Sequence, residues 1–239
     1  MFLESITMDE LKKGLKKMPV VIVPFGSVEE HGPHLPLSTD TYQIVEVLKI
    51  VEKERNVFIS PPIHYGVCRS TEQHRGTIGI TPETLRGLVY DILCSLKKEG
   101  FKAVILVSGH AGKLHVFSII EACEKFQKSE GGMRIFVYSE LELLGKEALE
   151  IIETNYDSHA GEIETSRMLA INKRLVKDCY KKLKARCPKF FPGEIVSDKV
   201  KYWKSGIWGN PSLADKEKGR KLLQLSAQKL IEVIDKITL

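Results

Sequence analysis

Val20-Val21-Ile22-Val23-Pro24-Phe25-Gly26-Ser27-Val28-Glu29-Glu30-His31-Gly32-Pro33-His34-Leu35-Pro36-Leu37-Ser38-Thr39-Asp40 is the stretch that decides the fold. Its first half is a short β-branched run with no polar alternation, the pattern of a strand buried on both faces. Its second half is a loop carrying two adjacent acids, two histidines and a terminal aspartate. After it, Tyr42, Ile44, Val45, Leu48 and Val51 recur at helical spacing to about Glu54. A strand, a polar loop and a helix in that order form a parallel α/β unit. The loop beyond the carboxyl end of such a strand is where α/β proteins bind ligands. Neutral imidazole and carboxylate oxygen together suit borderline and hard divalent metals.

Working outward, Thr7-Met8-Asp9-Glu10 reads as a capping box opening a helix to about Lys17. Val57-Phe58-Ile59 is a second strand, closed by Pro61-Pro62. Residues 63–80 form a long irregular stretch with His64, Cys68, Arg69, His74 and Gly76, and loops of that length are often functional. Thr81-Pro82 starts a helix that stops at Gly100. Ala103–Val107 is a strand ending in Ser108-Gly109-His110-Ala111-Gly112, followed by a helix to about Lys128. Arg134–Tyr138 is a further strand and Glu140–Glu153 a further helix. Ser212 to Asp215 caps a long final helix to about Ile237. Strands alternating with helices predict a single-domain three-layer α/β/α sandwich over residues 1–239 with a mostly parallel sheet.

The chain has 239 residues, enough for one α/β domain with a substantial core. A net charge of +5 makes no case for nucleic acid, which calls for basic residues clustered with aromatics. The densest basic stretch, Lys173 to Lys189, is interrupted by Leu175, Val176, Tyr180 and Leu183 and reads as a solvated helix face. No apolar run approaches a membrane span, and the start of the chain lacks a basic region followed by an apolar one. Five cysteines without a CxxC pair fit neither a disulfide framework nor a zinc knuckle. A cytoplasmic protein without nucleic-acid or membrane partners is expected.

Glu29 and His31 lie two apart, so in extended chain both can face one ion or two adjacent ions. Asp40 falls at a helix start, where a carboxylate is favoured, so helix capping alone also accounts for it. His110 ends a second strand at what should be the same sheet edge as His31, although a histidine at a strand end is often structural. Asp157-Ser158-His159-Ala160-Gly161-Glu162-Ile163-Glu164-Thr165-Ser166 runs from a turn into a helix. Glu162 and Glu164 cannot share one helical face, so one is the ligand or base and the other caps or faces solvent. His159 is a candidate acid or base. Gly206-Ile207-Trp208-Gly209-Asn210-Pro211 reads as a turn laying an aromatic over a pocket, or equally as a place where Trp203 and Trp208 serve the core or a subunit contact.

These four constellations, in this order and over nearly the whole chain, resemble the creatininase (creatinine amidohydrolase) family. The resemblance implies an α/β sandwich with two divalent ions (Zn, Mn or Fe) at the sheet's carboxyl edge. It implies that Asp40 bridges them, that Glu29 and His110 complete one site, and that His31 belongs to the other. Creatininase carries a further Glu two residues after the histidine matching His110; here that position is Gly112, and Glu164 or Glu162 is the inferred substitute. Family members hydrolyse cyclic or linear amides, among them creatininase, a formylaminopyrimidine-nucleotide deformylase of archaeal flavin and deazaflavin biosynthesis, and a mycofactocin-pathway peptidase.

The expectation is therefore a metal-dependent amidohydrolase acting on a small cyclic or formyl amide through an activated water. His159 or Glu164 would move the proton, and Glu30 and His34 would orient the ligands. Trp208, His74 and Ala111 are candidates for substrate contact, and a homo-oligomer, hexamer or dimer, is expected. The alternatives are the deformylase activity and a metal-dependent binding module without turnover, the latter suggested by Gly112.

Overall fold

The structure is a computed structural model and describes residues 1–189 and 194–238. Helix α1 (Met8–Leu15) begins at Thr7, whose hydroxyl and backbone N–H exchange hydrogen bonds with Glu10 as a capping box. Strand β1 (Val20–Phe25) is buried along its whole length. Helix α2 (Thr39–Glu54) follows the loop and leads to the short β2 (Phe58–Ile59). Helix α3 (Pro82–Glu99) opens on the Thr81 cap and closes at Gly100, whose φ of 103° is a left-handed conformation suited to glycine. Strand β3 (Ala103–Ser108), α4 (Lys113–Ser129) and β4 (Arg134–Ser139) complete the sheet. Helices α5 (Glu140–Leu144), α6 (Glu162–Asn172), α7 (Lys199–Tyr202) and α8 (Lys216–Thr238) follow.

All four strands pair in parallel in the order β2-β1-β3-β4. Alternate side chains point to opposite faces. Val20, Ile22, Ile105 and Val107 pack with Ile44, Leu48, Leu230 and Ile234 of α2 and α8. Val21, Val23, Val104 and Leu106 pack with Leu85, Val89, Ile119 and Phe126 of α3 and α4. The result is the expected three-layer sandwich. The chain leaves β1 toward β2 on one side and reaches β3 on the other, so the strand order reverses between β1 and β3. At such a reversal the loops beyond the strand ends part and leave a crevice.

Two predicted helices differ. The one expected over 140–153 is cut after Leu144, because Gly145 takes φ 59° and ψ −160°, and a 3₁₀ turn covers Lys146–Glu150. The basic stretch is not an α-helix either. It forms 3₁₀ turns at Lys173–Leu175 and Asp178–Lys182 that bury Val176 and Tyr180 while the lysines stay in water. Asp215 caps α8 as expected, accepting from the N–H groups of Glu217 and Lys218. Among the described residues no helix is long and apolar enough to cross a membrane.

Candidate metal centre

The parallel register sets Phe25 beside Ser108, so the loops after β1 and β3 leave the sheet side by side. Asp40 stands in the first turn of α2 and returns to this edge. Its carboxylate is buried, with Oδ1 3.1 Å from Nε2 of His31 and Oδ2 3.1 Å from Nδ1 of His110. The hydroxyl of Ser27 donates to Oδ2 at 2.6 Å. Glu29 places Oε2 2.9 Å from Nδ1 of His110, and its Oε1 accepts from the hydroxyl of Thr71. Glu164 of α6 places Oε1 3.6 Å from Nε2 of His31.

The second nitrogen of each imidazole meets a backbone carbonyl. Nδ1 of His31 lies 3.0 Å from the carbonyl of Glu29, and Nε2 of His110 lies 3.2 Å from that of Val67. A carbonyl can only accept, so these contacts place N–H on Nδ1 of His31 and on Nε2 of His110. The lone pairs of the other two nitrogens then face carboxylate oxygens, acceptor against acceptor. Either an extra proton or a cation must lie between them. Backbone-anchored imidazoles facing carboxylates are the arrangement by which proteins orient metal-ligating histidines. The donor set therefore fits divalent metal ions. His31, Asp40 and Glu164 offer atoms within 4.8 Å of one another, as do Glu29, Cys68 and His110.

Without a cation, the same contacts polarise the cluster. Burial disfavours the imidazolium of His31, but the Asp40 and Glu164 carboxylates outweigh it and raise its pKa well above the ordinary value. His110 is raised in the same way by Glu29 and Asp40 against the effect of burial. Burial pushes the Glu29 carboxyl up, yet the facing His110 brings it down to about 2. Asp40 is held well below its usual range by His31 and His110, again against burial. Burial, with Glu29 beside it, drives the Cys68 thiol strongly up and keeps it protonated, so it is a poor nucleophile.

The two acids of α6 separate as their spacing demanded. Glu164 joins the cluster, its other oxygen accepting from the N–H of Ala160. Ala160 holds φ 49°, a left-handed conformation uncommon without glycine, which turns that N–H toward the carboxylate. Glu162 points away. It neither caps nor faces solvent, as expected of the second acid, but is buried, pairs with Lys218 at 2.6 Å and accepts from the N–H groups of Glu153 and Thr154. Gly161 stands at the N-cap of α6, and the first-turn N–H groups of Glu162 and Ile163 are satisfied by the Asp157 carboxylate.

His159 stacks 4.4 Å from the ring of His31 and donates from Nε2 to the carbonyl of Glu30 at 2.7 Å. Burial and the neighbouring His31 disfavour its charged form, but Glu30, Glu29 and Glu164 prevail and its pKa is raised. Glu30 turns its side chain to the same ring, with Oε1 3.4 Å away, and accepts from the N–H of Gly32 through Oε2. His34 is fully buried and shares a 2.8 Å hydrogen bond with the hydroxyl of Thr165, so it braces the loop against α6 rather than touching the cluster.

The remaining expected residues are more scattered. Trp208 pairs its backbone with His159 in both directions, and its ring lies 6.0 Å from that of Trp203. Trp203 is buried and donates from Nε1 to the carbonyl of Ile207. His74 donates from Nε2 to the carbonyl of Trp203 at 2.7 Å, which ties two loops together, and it lines a cleft beside Glu30. Ala111 is half-buried next to His110. Ser27, Thr71, Thr165 and His115 have contacts that the sequence did not single out. Nδ1 of His115 accepts from the N–H of Val67, whose carbonyl meets His110. Ser27, Thr71 and Thr165 lay within stretches already suspect, but only packing shows their contacts, and His115 is brought in by packing alone.

A parallel α/β sandwich with histidines and carboxylates converging at the strand-order reversal defines an α/β fold with a candidate metal site at its strand ends. The chain belongs to the creatininase family, its residues 4–234 matching the family model described as creatinine amidohydrolase. It is 30% identical over 161 residues to the mycofactocin precursor peptide peptidase of Mycolicibacterium smegmatis, covering 65% of this chain and 59% of that protein. It is 28% identical over 179 residues to the 3-dehydro-scyllo-inosose hydrolase of Thermotoga maritima, covering 71% of this chain and 56% of that one. The chain thus spans less than two thirds of the length of either relative. A crystal structure of creatinine amidohydrolase superposes with a TM-score of 0.89 at 22% identity, covering 98% of this chain and 96% of the other.

Proposed function

We propose that this chain is a metal-dependent amidohydrolase that cleaves the C–N bond of a small cyclic or formyl amide with water. The observation that carries the reading is the carboxylate of Asp40, whose two oxygens meet two different histidines, each anchored by a backbone carbonyl. In this reading Glu29, Asp40 and His110 hold one divalent ion, and His31, Asp40 and Glu164 hold a second. Zinc, manganese and iron all suit such mixed N/O ligands, and creatininase structures of the same fold include a Zn–Zn type and a manganese form. Bound there, the ions supply Lewis-acid polarisation of the amide carbonyl and lower the pKa of water.

The chain's own residues supply the remaining roles. Asp40, fixed by Ser27 and two imidazoles, sets the spacing of the two ligand sets. His159, with Nε2 committed to Glu30 and its pKa raised, carries the proton destined for the leaving nitrogen. Glu164 takes the place of the acid missing at Gly112 and is the second candidate for proton transfer. The free cysteines suit a cytoplasmic enzyme, and a homo-oligomer, hexamer or dimer, is the assembly expected.

Elemental analysis of the wild type beside Asp40→Asn, with an amide panel that includes N-formyl compounds, tests this. About two ions per chain, lost with activity in the variant, is the expected result for a two-metal hydrolase. Metal binding without turnover on any amide favours the binding module. No metal after reloading overturns the reading.

A further inference from the structure

Beside the cluster lies a cleft of about 430 Å³. Pro33, Leu37, Leu183 and Ile207 contribute apolar lining, and Arg75, Lys184, Arg186 and Lys204 line the same cleft. These cations come from three separate parts of the chain. Each part has an anchored backbone. Arg186 exchanges two 2.8 Å hydrogen bonds with Gly209. Lys184, two residues earlier, falls on the same side of that extended segment. Lys204 follows the buried Trp203, and Arg75 follows His74, whose ring is tied to the Trp203 carbonyl.

None of the four cations has an acid partner among the described residues. The one acid in the cleft, Glu30, is buried and already engaged by Gly32 and His159. Four cations converging on one cleft whose single carboxylate is already engaged make a surface suited to an anion. The cleft also touches the cluster, because Glu30 contacts His159 and His159 stacks on His31.

We propose that this cleft binds a dianionic group of the substrate, a phosphate monoester or a dicarboxylate, with Arg75 and Arg186 as its principal ligands. One guanidinium suffices for a single carboxylate. Four uncompensated cations match a group of higher charge, and the guanidiniums can grip its oxygens in pairs. The proposal rests on the hydrolytic reading of the cluster only in calling the anion part of the substrate.

The test is calorimetric titration of inorganic phosphate, succinate and acetate into metal-loaded and chelator-treated protein. Wild type is compared with Arg75→Gln/Arg186→Gln and with Lys125→Gln/Lys128→Gln on α4, which removes the same charge elsewhere. Phosphate or succinate should bind the chelator-treated wild type. Affinity should fall about tenfold or more in the arginine variant, the loss expected of a charge-assisted hydrogen bond, and hold in the lysine variant. Binding of phosphate alone would identify a phosphoryl group, and of succinate alone a dicarboxylate. Equal losses in both variants, or acetate binding as well as succinate, would overturn the proposal. So would binding that needs the loaded metal and ignores the arginines, although the metal reading would survive that result. Binding that depends on the arginines in a protein that takes up no metal would leave the cleft standing and remove the hydrolase.

Discussion

Nε2 of His31 and Oδ1 of Asp40 meet at 3.1 Å across a loop and the start of a helix. Both groups are almost wholly buried, so neither is held in place by water. His31 is oriented from behind by the Glu29 carbonyl, and Asp40 by the Ser27 hydroxyl. The pair is thus set before any ligand arrives, the condition for a site that loses little free energy on binding.

Glu164→Gln and Glu162→Gln should have opposite signatures. Removing the charge of Glu164 weakens the set that includes His31 and Asp40, so metal content measured by elemental analysis should fall. Glu162→Gln should leave metal content intact but lower stability by about 2 kcal/mol in urea unfolding, because Lys218 loses a buried partner. The assignment of Glu164 over Glu162 is wrong if the two results are exchanged.

Gly112→Glu restores the acid that creatininase carries, yet it should reduce metal binding rather than improve it. A Cβ at Gly112 would stand 2.5 Å from Nε2 of His110, where the ring meets the Val67 carbonyl. The side chain would turn His110 away from Asp40. A gain in bound metal in titration of this variant would refute the argument.

Gly206→Ala should destabilise the protein by about 2 to 4 kcal/mol, combining a left-handed residue with overpacking. Gly206 holds φ 63°, and a Cβ there would collide with the carboxylate of Glu30. Because Glu30 contacts His159, turnover should fall more than metal content does. Thermal unfolding and metal content read the two effects separately, and an unchanged melting temperature would show that the contact is dispensable.

His34 should make the protein acid-sensitive. Burial lowers its pKa from 6.5 to about 4, so the unfolded chain takes up a proton near pH 6.5 that the folded chain refuses until about pH 4. Its contribution is full above pH 6.5 and falls as the pH drops toward 4, by about 3 kcal/mol. His115, lowered by burial to about 3, acts in the same direction and continues the loss below pH 4. His31 and His110 act in the opposite direction in metal-free protein, so the comparison is between wild type and His34→Gln, in which they cancel. The drop in urea midpoint from pH 7 to pH 4.5 should be smaller in the variant than in the wild type. An identical drop in both proteins would rule out His34 as the group that titrates.

The sequence alone determined the sheet and most of its helices, and it pointed to Glu29, His31, Asp40, His110 and Glu164. Period, capping and β-branching are local properties, and the unbroken apolar run of β1 can only be a strand covered on both faces. It misjudged 140–153 and 173–189 because helical spacing says nothing of how neighbours will cut a helix at Gly145 or curl a lysine-rich segment into 3₁₀ turns. Only the tertiary structure decided which acid of α6 reaches His31 and that Thr71 and His115 support the cluster. It alone showed that Arg75, Lys184, Arg186 and Lys204 share one cleft. Those relationships join residues up to 133 positions apart, as Glu164 is from His31. They arise because the strand order reverses between β1 and β3 and brings distant loops to one edge, a consequence of packing that no local pattern encodes.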